Sequence, residues 1–471
     1  LVTNNRNNKD MKKTLTIAAA LIAAITASAQ GGISDAMLKE IQSNQPVANA
    51  ALSNAIANVA IDDLAKNHKN SGAIDTHFNV ETKEQNITNQ KQSGRCWMFS
   101  GLNVITGNFA QRTDSLRVSL SQDYLFFYDQ LEKANLFLQS VINTAKKPME
   151  DSEVRFLFKS PISDGGNFCG VADLADKYGV VPTEAAQETF SAENTSRMSK
   201  IITSKLREQG LQLRKMVANK ESSSKIQKEK TKMLTDIYRI LAMTLGEPVK
   251  EFTYAFRDKN GKQVTEEKTY TPQSFYKEVV GGPINGTFIM IMNDPRRDYY
   301  KTYEVLYGRH TYDGHNWTYL NLPMDEIEKL AIASLKDSTR MYSSYDVAKQ
   351  LDRKRGYCDL RNYDYATLFS TDFNMTKAER ISTYDSGSTH AMTLCAVDLD
   401  KDGKAKKWKV ENSWGNEWGQ KGYLIMTDDW FREYMFRLVV DKKYVPQDLL
   451  EKAKQKPIQI SPEDPLFSVE N

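Results

Sequence analysis

The segment Gln90-Lys91-Gln92-Ser93-Gly94-Arg95-Cys96-Trp97-Met98-Phe99-Ser100 decides how the chain is read. A polar stretch containing a glycine runs directly into an apolar pattern in which Met98, Leu102, Ile105 and Phe109 are three or four apart. That spacing predicts a buried helix, and Cys96 stands at its start. The positive end of a helix dipole favours thiolate over thiol, so Cys96 is a candidate nucleophile. A thiol at a helix start is more often simply packed, and the assignment needs a partner that takes its proton.

The partner lies far along the chain. Ser388-Thr389-His390-Ala391-Met392-Thr393 opens a strand-like apolar run, and 22 residues after His390 comes Glu411-Asn412-Ser413-Trp414-Gly415. A single histidine beside a strand is usually structural. Here an asparagine oxygen can accept the imidazole N–H and fix the ring, while Trp414 shields that bond from water. An imidazole so held can take the Cys96 proton and return it to a leaving amine. The four cysteines, Cys96, Cys169, Cys358 and Cys395, are too few for a disulfide framework. The last three read as small buried apolar residues. No Cys-x-x-Cys occurs and the five histidines are scattered, so neither a metal nor any other cofactor is expected.

Taken together, QKQSGRCWMFS resembles the nucleophile loop of papain-like cysteine peptidases, and ENSWGNEWGQKGY (411–423) resembles their asparagine strand and the glycine-rich turn after it. LSQDYLFFYDQLEKAN (120–135), TKAERIS, THAMT, KGYLIMTDDWF and VVDKKYVP are similar to one branch, the bleomycin hydrolase and aminopeptidase C group. The resemblance implies an α+β, two-lobed papain-like fold with a Cys96–His390–Asn412 triad. It also implies Gln90, six positions before Cys96, as the oxyanion-hole amide. Asp164-Gly165-Gly166-Asn167 looks like the glycine pair along which substrate backbone lies, a role balanced against that of an ordinary turn. His390 lies 294 residues after Cys96, against about 130–150 in papain-type enzymes, so a large insertion is implied. In this branch the C-terminal arm enters the cleft, restricting cleavage to the N-terminal end of peptides, and the carboxylate at Asn471 would attract a substrate ammonium group. The branch also forms hexamers. Ser388 and Gln92 depart from its pattern, which leaves the chemistry in place and bears on substrate preference.

The rest of the chain fits this division. Met11, Lys12 and Lys13, an apolar run from Leu15 to Ile25, and Ala27-Ser28-Ala29 describe a secretory signal within residues 1–29. Export to a periplasm or beyond the cell is expected, although most relatives resemble cytoplasmic enzymes; no membrane span should remain after cleavage. Residues 30–75 read as a helical arm, 76–190 as the helical lobe, 191–280 as an inserted helical region with a hairpin at Asp258-Lys259-Asn260-Gly261, and 281–445 as the strand-rich lobe. Residues 446–471 read as an arm, whose Pro457, Pro462 and Pro465 suggest an extended segment outside the core.

Removing residues 1–29 takes away Arg6, Lys9, Lys12 and Lys13 against Asp10, leaving a formal charge near zero. That gives no global drive towards nucleic acid. The basic stretch Arg197–Met233, with 11 Lys/Arg against 3 Asp/Glu, then reads as a solvated helix face rather than a nucleic-acid surface. The leading expectation is a cysteine aminopeptidase acting on peptides. Its alternatives are an endopeptidase or dipeptidyl-peptidase with the same triad, and a basic channel that binds nucleic acid or peptide.

Overall fold

The computed structural model describes residues 31–45, 49–113 and 116–467. The expected secretory signal within 1–29 and Asn471 lie outside the described residues. The chain up to Lys66 is one compact unit and Asn67 onward another. The first carries helices α1 (Asp35–Ser43), α2 (Ala50–Asn58) and α3 (Ile61–Ala65). Ser34 and Asn49 cap α1 and α2 through their side-chain oxygens. The helical reading of 30–75 therefore holds only in part. Val59 is extended and ends α2, and beyond Lys66 only a short 3-10 turn at His68–Asn70 precedes a non-helical run.

In the second unit, α4 (Cys96–Arg112) is buried nearly all round, Met98, Leu102, Ile105 and Phe109 included. α5 (Gln122–Asn143) starts at Ser121, whose Oγ accepts the Tyr124 N–H at 3.2 Å. α6 (Ser152–Lys159) and α7 (Phe168–Tyr178) complete this lobe. The inserted region forms two long helices, α8 (Ser196–Ala218) and α9 (Ser223–Leu245), which pack on α5 and on each other. Met198, Ile202, Leu206 and Leu213 face Ile226, Met233, Ile237 and Leu241 in the shared core. Several basic side chains have structural work. Arg207 donates to the carbonyls of Phe158 and Lys159, and Arg214 to those of Thr144 and Lys147. Both close helix C-termini, where carbonyls lack intrahelical partners. The hairpin turn forms at Asp258–Gly261. α10 (Pro272–Val279) opens on a Thr271–Ser274 capping box.

The strand-rich lobe is one sheet of twelve strands among the described residues. Its longer members are β1 (Phe288–Met292), β2 (Thr302–Val305), β3 (Thr318–Asn321), β4 (Met341–Tyr345), β5 (His390–Leu399), β6 (Ala405–Glu411), β7 (Tyr423–Thr427), β8 (Met435–Asp441) and β9 (Ile458–Ile460). They run in the order β7-β6-β5-β4-β8-β1-β3-β2-β9. All ten residues of β5 are buried, because α4 lies on one face and helix Met324–Lys336 on the other. Its side chains alternate accordingly: Ala391 joins the core around α4, and Met392 and Leu394 join the core with Trp408 and Trp430. A strand covered on both faces reads as a continuous apolar run, as this one does.

The C-terminal segment corrects the sequence reading. Prolines do leave it without helix after α11 (Gln447–Ala453), yet it is not outside the core. β9 pairs in parallel with β2 at the sheet edge, and Leu466 and Phe467 are buried beside Trp317 and Tyr319. Asp464 pins the segment by ion pairs to Arg296 at 2.7 Å and Arg297 at 2.5 Å.

Candidate active site

The loop before Cys96 is fixed by its own polar groups. The Arg95 side chain is fully buried between the rings of Phe99 and Phe126 and makes two hydrogen bonds to Glu188, at 3.1 and 2.6 Å. Its Nε donates to Ser93 Oγ at 3.1 Å, and that hydroxyl donates to the Gln90 carbonyl at 2.6 Å. The Gln90 amide in turn donates to the Ser93 carbonyl at 2.6 Å. Cys96 follows as the first residue of α4, half-buried.

His390 is the first residue of β5 and Asn412 follows β6, its antiparallel neighbour. Their side chains meet at 2.8 Å, His390 Nε2 to Asn412 Oδ1. The same Oδ1 accepts the Ser413 backbone N–H at 2.8 Å, so the atom is an oxygen and Nε2 carries the proton. Nδ1 is thereby left as the basic nitrogen. Trp414 stacks on the imidazole with ring centroids 4.9 Å apart, and Arg353 lies over both Trp414 and Trp418. Burial pulls the His390 pKa down to about 4, and the Asn412 hydrogen bond opposes that pull. The ring is a neutral base at ordinary pH.

Hydrogen bonds tie the nucleophile loop and α4 to the histidine–asparagine strands. Ser413 Oγ donates to Gln90 Oε1 at 2.6 Å, and the Gln90 N–H donates to the Ser413 carbonyl at 2.8 Å. Thr393 on β5 donates to the Ser100 carbonyl of α4 at 3.2 Å. Ser413 was not singled out in the sequence, because its partner is 323 positions away and only its place beside Asn412 hinted at a role. The other three cysteines are buried thiols without disulfides. Burial pushes all of them up, Cys395 to about 12, so they stay protonated.

Gly165 and Gly166 lie where Asp164 reaches the nucleophile loop. Asp164 Oδ2 accepts the Gly94 N–H at 2.6 Å and the Thr195 hydroxyl at 2.5 Å, and its carbonyl accepts the Trp97 indole N–H at 2.9 Å. Behind the glycines is a cavity lined by Gly165, Gly166, His310, Arg437, Pro462 and Phe467, so the C-terminal segment forms part of its wall. The Leu466 carbonyl also accepts the N–H of Ser388, two residues before His390, at 3.2 Å.

Comparison with known proteins fits this geometry. The sequence model of the Peptidase C1-like family matches residues 33–467. The chain belongs to that family. It is 38% identical over 418 residues to aminopeptidase G of Lactobacillus delbrueckii subsp. lactis, covering 89% of this chain and 95% of the relative. It is 39% identical over 388 residues to human bleomycin hydrolase, covering 81% and 85%. The crystal structure of PepW from Lactobacillus rhamnosis HN001 superposes with a TM-score of 0.87 at 37% identity, covering 93% of this chain and 99% of that one. The α+β, papain-like reading holds, and this Peptidase C1-like protein is a papain-like cysteine peptidase of the bleomycin hydrolase and aminopeptidase C group.

Proposed function

We propose that the protein is a cysteine aminopeptidase that releases N-terminal residues from peptides through a Cys96–His390–Asn412 triad. The Cys96 sulfur attacks the scissile carbonyl carbon while His390 Nδ1 takes the thiol proton. Charge moves to the carbonyl oxygen, which accepts hydrogen bonds from the backbone N–H of Cys96 and the second amide hydrogen of Gln90. Collapse breaks the C–N bond, and His390 delivers its proton to the leaving amine. The thioester is then hydrolysed by water that His390 deprotonates, restoring the thiol. Asn412 holds the ring throughout, and Trp414 keeps water from that bond.

One observation carries the exopeptidase reading: the C-terminal segment is pinned by Asp464 and meets Ser388 beside His390 through Leu466. Pro462 and Phe467 also line the cavity behind Gly165 and Gly166. In this reading residues 468–471, Asn471 included, restrict the unprimed side so that only the N-terminal end of a peptide is cleaved. The names of the relatives, aminopeptidase G among them, support the same reading. Product mapping on a mixed peptide pool tests it, with the chain intact and ended at Phe467 so that the buried anchors remain. Intact enzyme should release single residues, and the shortened enzyme should release dipeptides or internal fragments. Identical products from the two would overturn it. The family resemblance supports a homo-hexamer, testable by analytical ultracentrifugation, and residues 11–29 support export, testable by N-terminal sequencing of the mature protein.

A further inference from the structure

Behind the Gly165–Gly166 segment lies a buried charge cluster that the triad does not use. α5 supplies Asp129, Gln130 and Lys133, one helical turn on one face, and the loop between β2 and β3 supplies His310. All four are buried. Asp129 pairs with Lys133 at 2.9 Å and with His310 Nδ1 at 2.5 Å. Lys133 Nζ donates to the carbonyls of Ser163 at 2.9 Å and Gly165 at 2.6 Å, and Gln130 donates to the Ser163 carbonyl at 2.9 Å. His310 Nε2 faces the Asn167 N–H at 3.4 Å, and its ring lies 4.6 Å from that of Trp97, the residue after Cys96. Gly166 and Gly170 press on this imidazole so closely that a Cβ at either position would overlap it.

A cluster of this kind is costly as a mere core filler. Burying two charged groups needs good geometry and satisfied hydrogen bonds to break even, and apolar residues of similar volume often do as well. What apolar residues cannot do is grip backbone carbonyls. Lys133 spends two of its three donors on the segment 163–165, and Asp129 holds both Lys133 and His310 in place. Asp129 stays ionised because Lys133 and His310 outweigh the effect of burial, and burial and Lys133 keep His310 neutral.

We propose that Asp129, Lys133 and His310 are positioning residues that set the backbone of 163–167 as the wall on which the substrate's unprimed backbone lies, governing substrate binding without touching substrate. This rests on reading Gly165–Gly166 as that wall. The variants Lys133→Met and His310→Gln keep side-chain volume and remove the grip. Losing a charge-assisted bond costs about tenfold in binding or more, so KM for aminoacyl and dipeptidyl amides should rise about tenfold, with kcat changed less than about threefold. Inactivation by a peptidyl epoxide should slow about tenfold, while alkylation of Cys96 by iodoacetamide, which needs no wall, keeps its wild-type rate. An unchanged KM with only a lowered melting temperature would make the cluster structural, and a parallel loss of iodoacetamide reactivity would place its action on the nucleophile; either overturns the proposal. If one variant does not fold, the other gives the same readout. Full peptidase activity in Cys96→Ala would instead overturn the catalytic reading, a separate result.

Discussion

Replacing Asn412 by alanine removes the hydrogen-bond partner of His390 Nε2. The bond is 2.8 Å long between side chains that are both nearly inaccessible, with His390 6% and Asn412 2% exposed. When His390 takes the Cys96 proton it becomes an imidazolium, and a hydrogen bond to a charged group contributes about 1.5–3 kcal/mol net. At 1.36 kcal/mol per tenfold in rate, Asn412→Ala should lose roughly 10- to 150-fold in kcat/KM. There is a second consequence. The same bond raises the His390 pKa against the pull of burial, so its removal should move the acid limb of the pH–rate profile to lower pH. The assay is kcat/KM for a single-residue amide between pH 3 and 9, with active enzyme counted by thiol titration. A variant within twofold of wild type, with an unmoved acid limb, would refute the reasoning: Asn412 would then neither hold nor charge-stabilise the imidazole.

Three further outcomes follow from the same structure. Gln90→Ala removes a side-chain oxyanion donor and should lower kcat about 10²–10³-fold, whereas Ser413→Ala, which only frees Gln90 Oε1, should cost less; equal losses would argue against Gln90 as the donor. In the native enzyme, His390 must be neutral to act as base, and its pKa lies at about 4 against an ordinary 6.5. Activity should therefore be complete at pH 6.5 and be lost as the pH falls through about 4; an acid limb centred near 6.5 would contradict this. Leu206→Ala, in the core between α5, α8 and α9, should cost about 2–5 kcal/mol of stability by denaturant unfolding while leaving kcat within about twofold.

Much of this site was legible because its parts are local. The helix after Cys96 announces itself in four apolar residues at helical spacing, and Asn412 and Trp414 are two positions apart, so one short motif carries both the hydrogen bond and its cover. The Asp258–Gly261 turn was readable for the same reason. What escaped depends on long-range pairing. Ser413 gains its role only when β6 ends against the loop of Gln90, and Asp129 and His310 meet across 181 positions. The C-terminal segment misled because proline reports on the backbone alone. Its ring breaks a helix interior, but Leu466 and Phe467 decide burial, and two apolar side chains near a terminus carry no periodicity to notice. Helix α2 ended early because Val59 turns extended inside an alanine-rich pattern, a choice that composition does not reveal.

The central claim is that Cys96 carries the acyl group. Enzyme mixed with a slowly hydrolysed aminoacyl ester, quenched in acid and digested, should yield one acyl adduct, on the peptide that contains Cys96, with Cys169, Cys358 and Cys395 unmodified. An adduct on any other residue, or a Cys96→Ala protein that still hydrolyses peptides at the wild-type rate, would contradict the account.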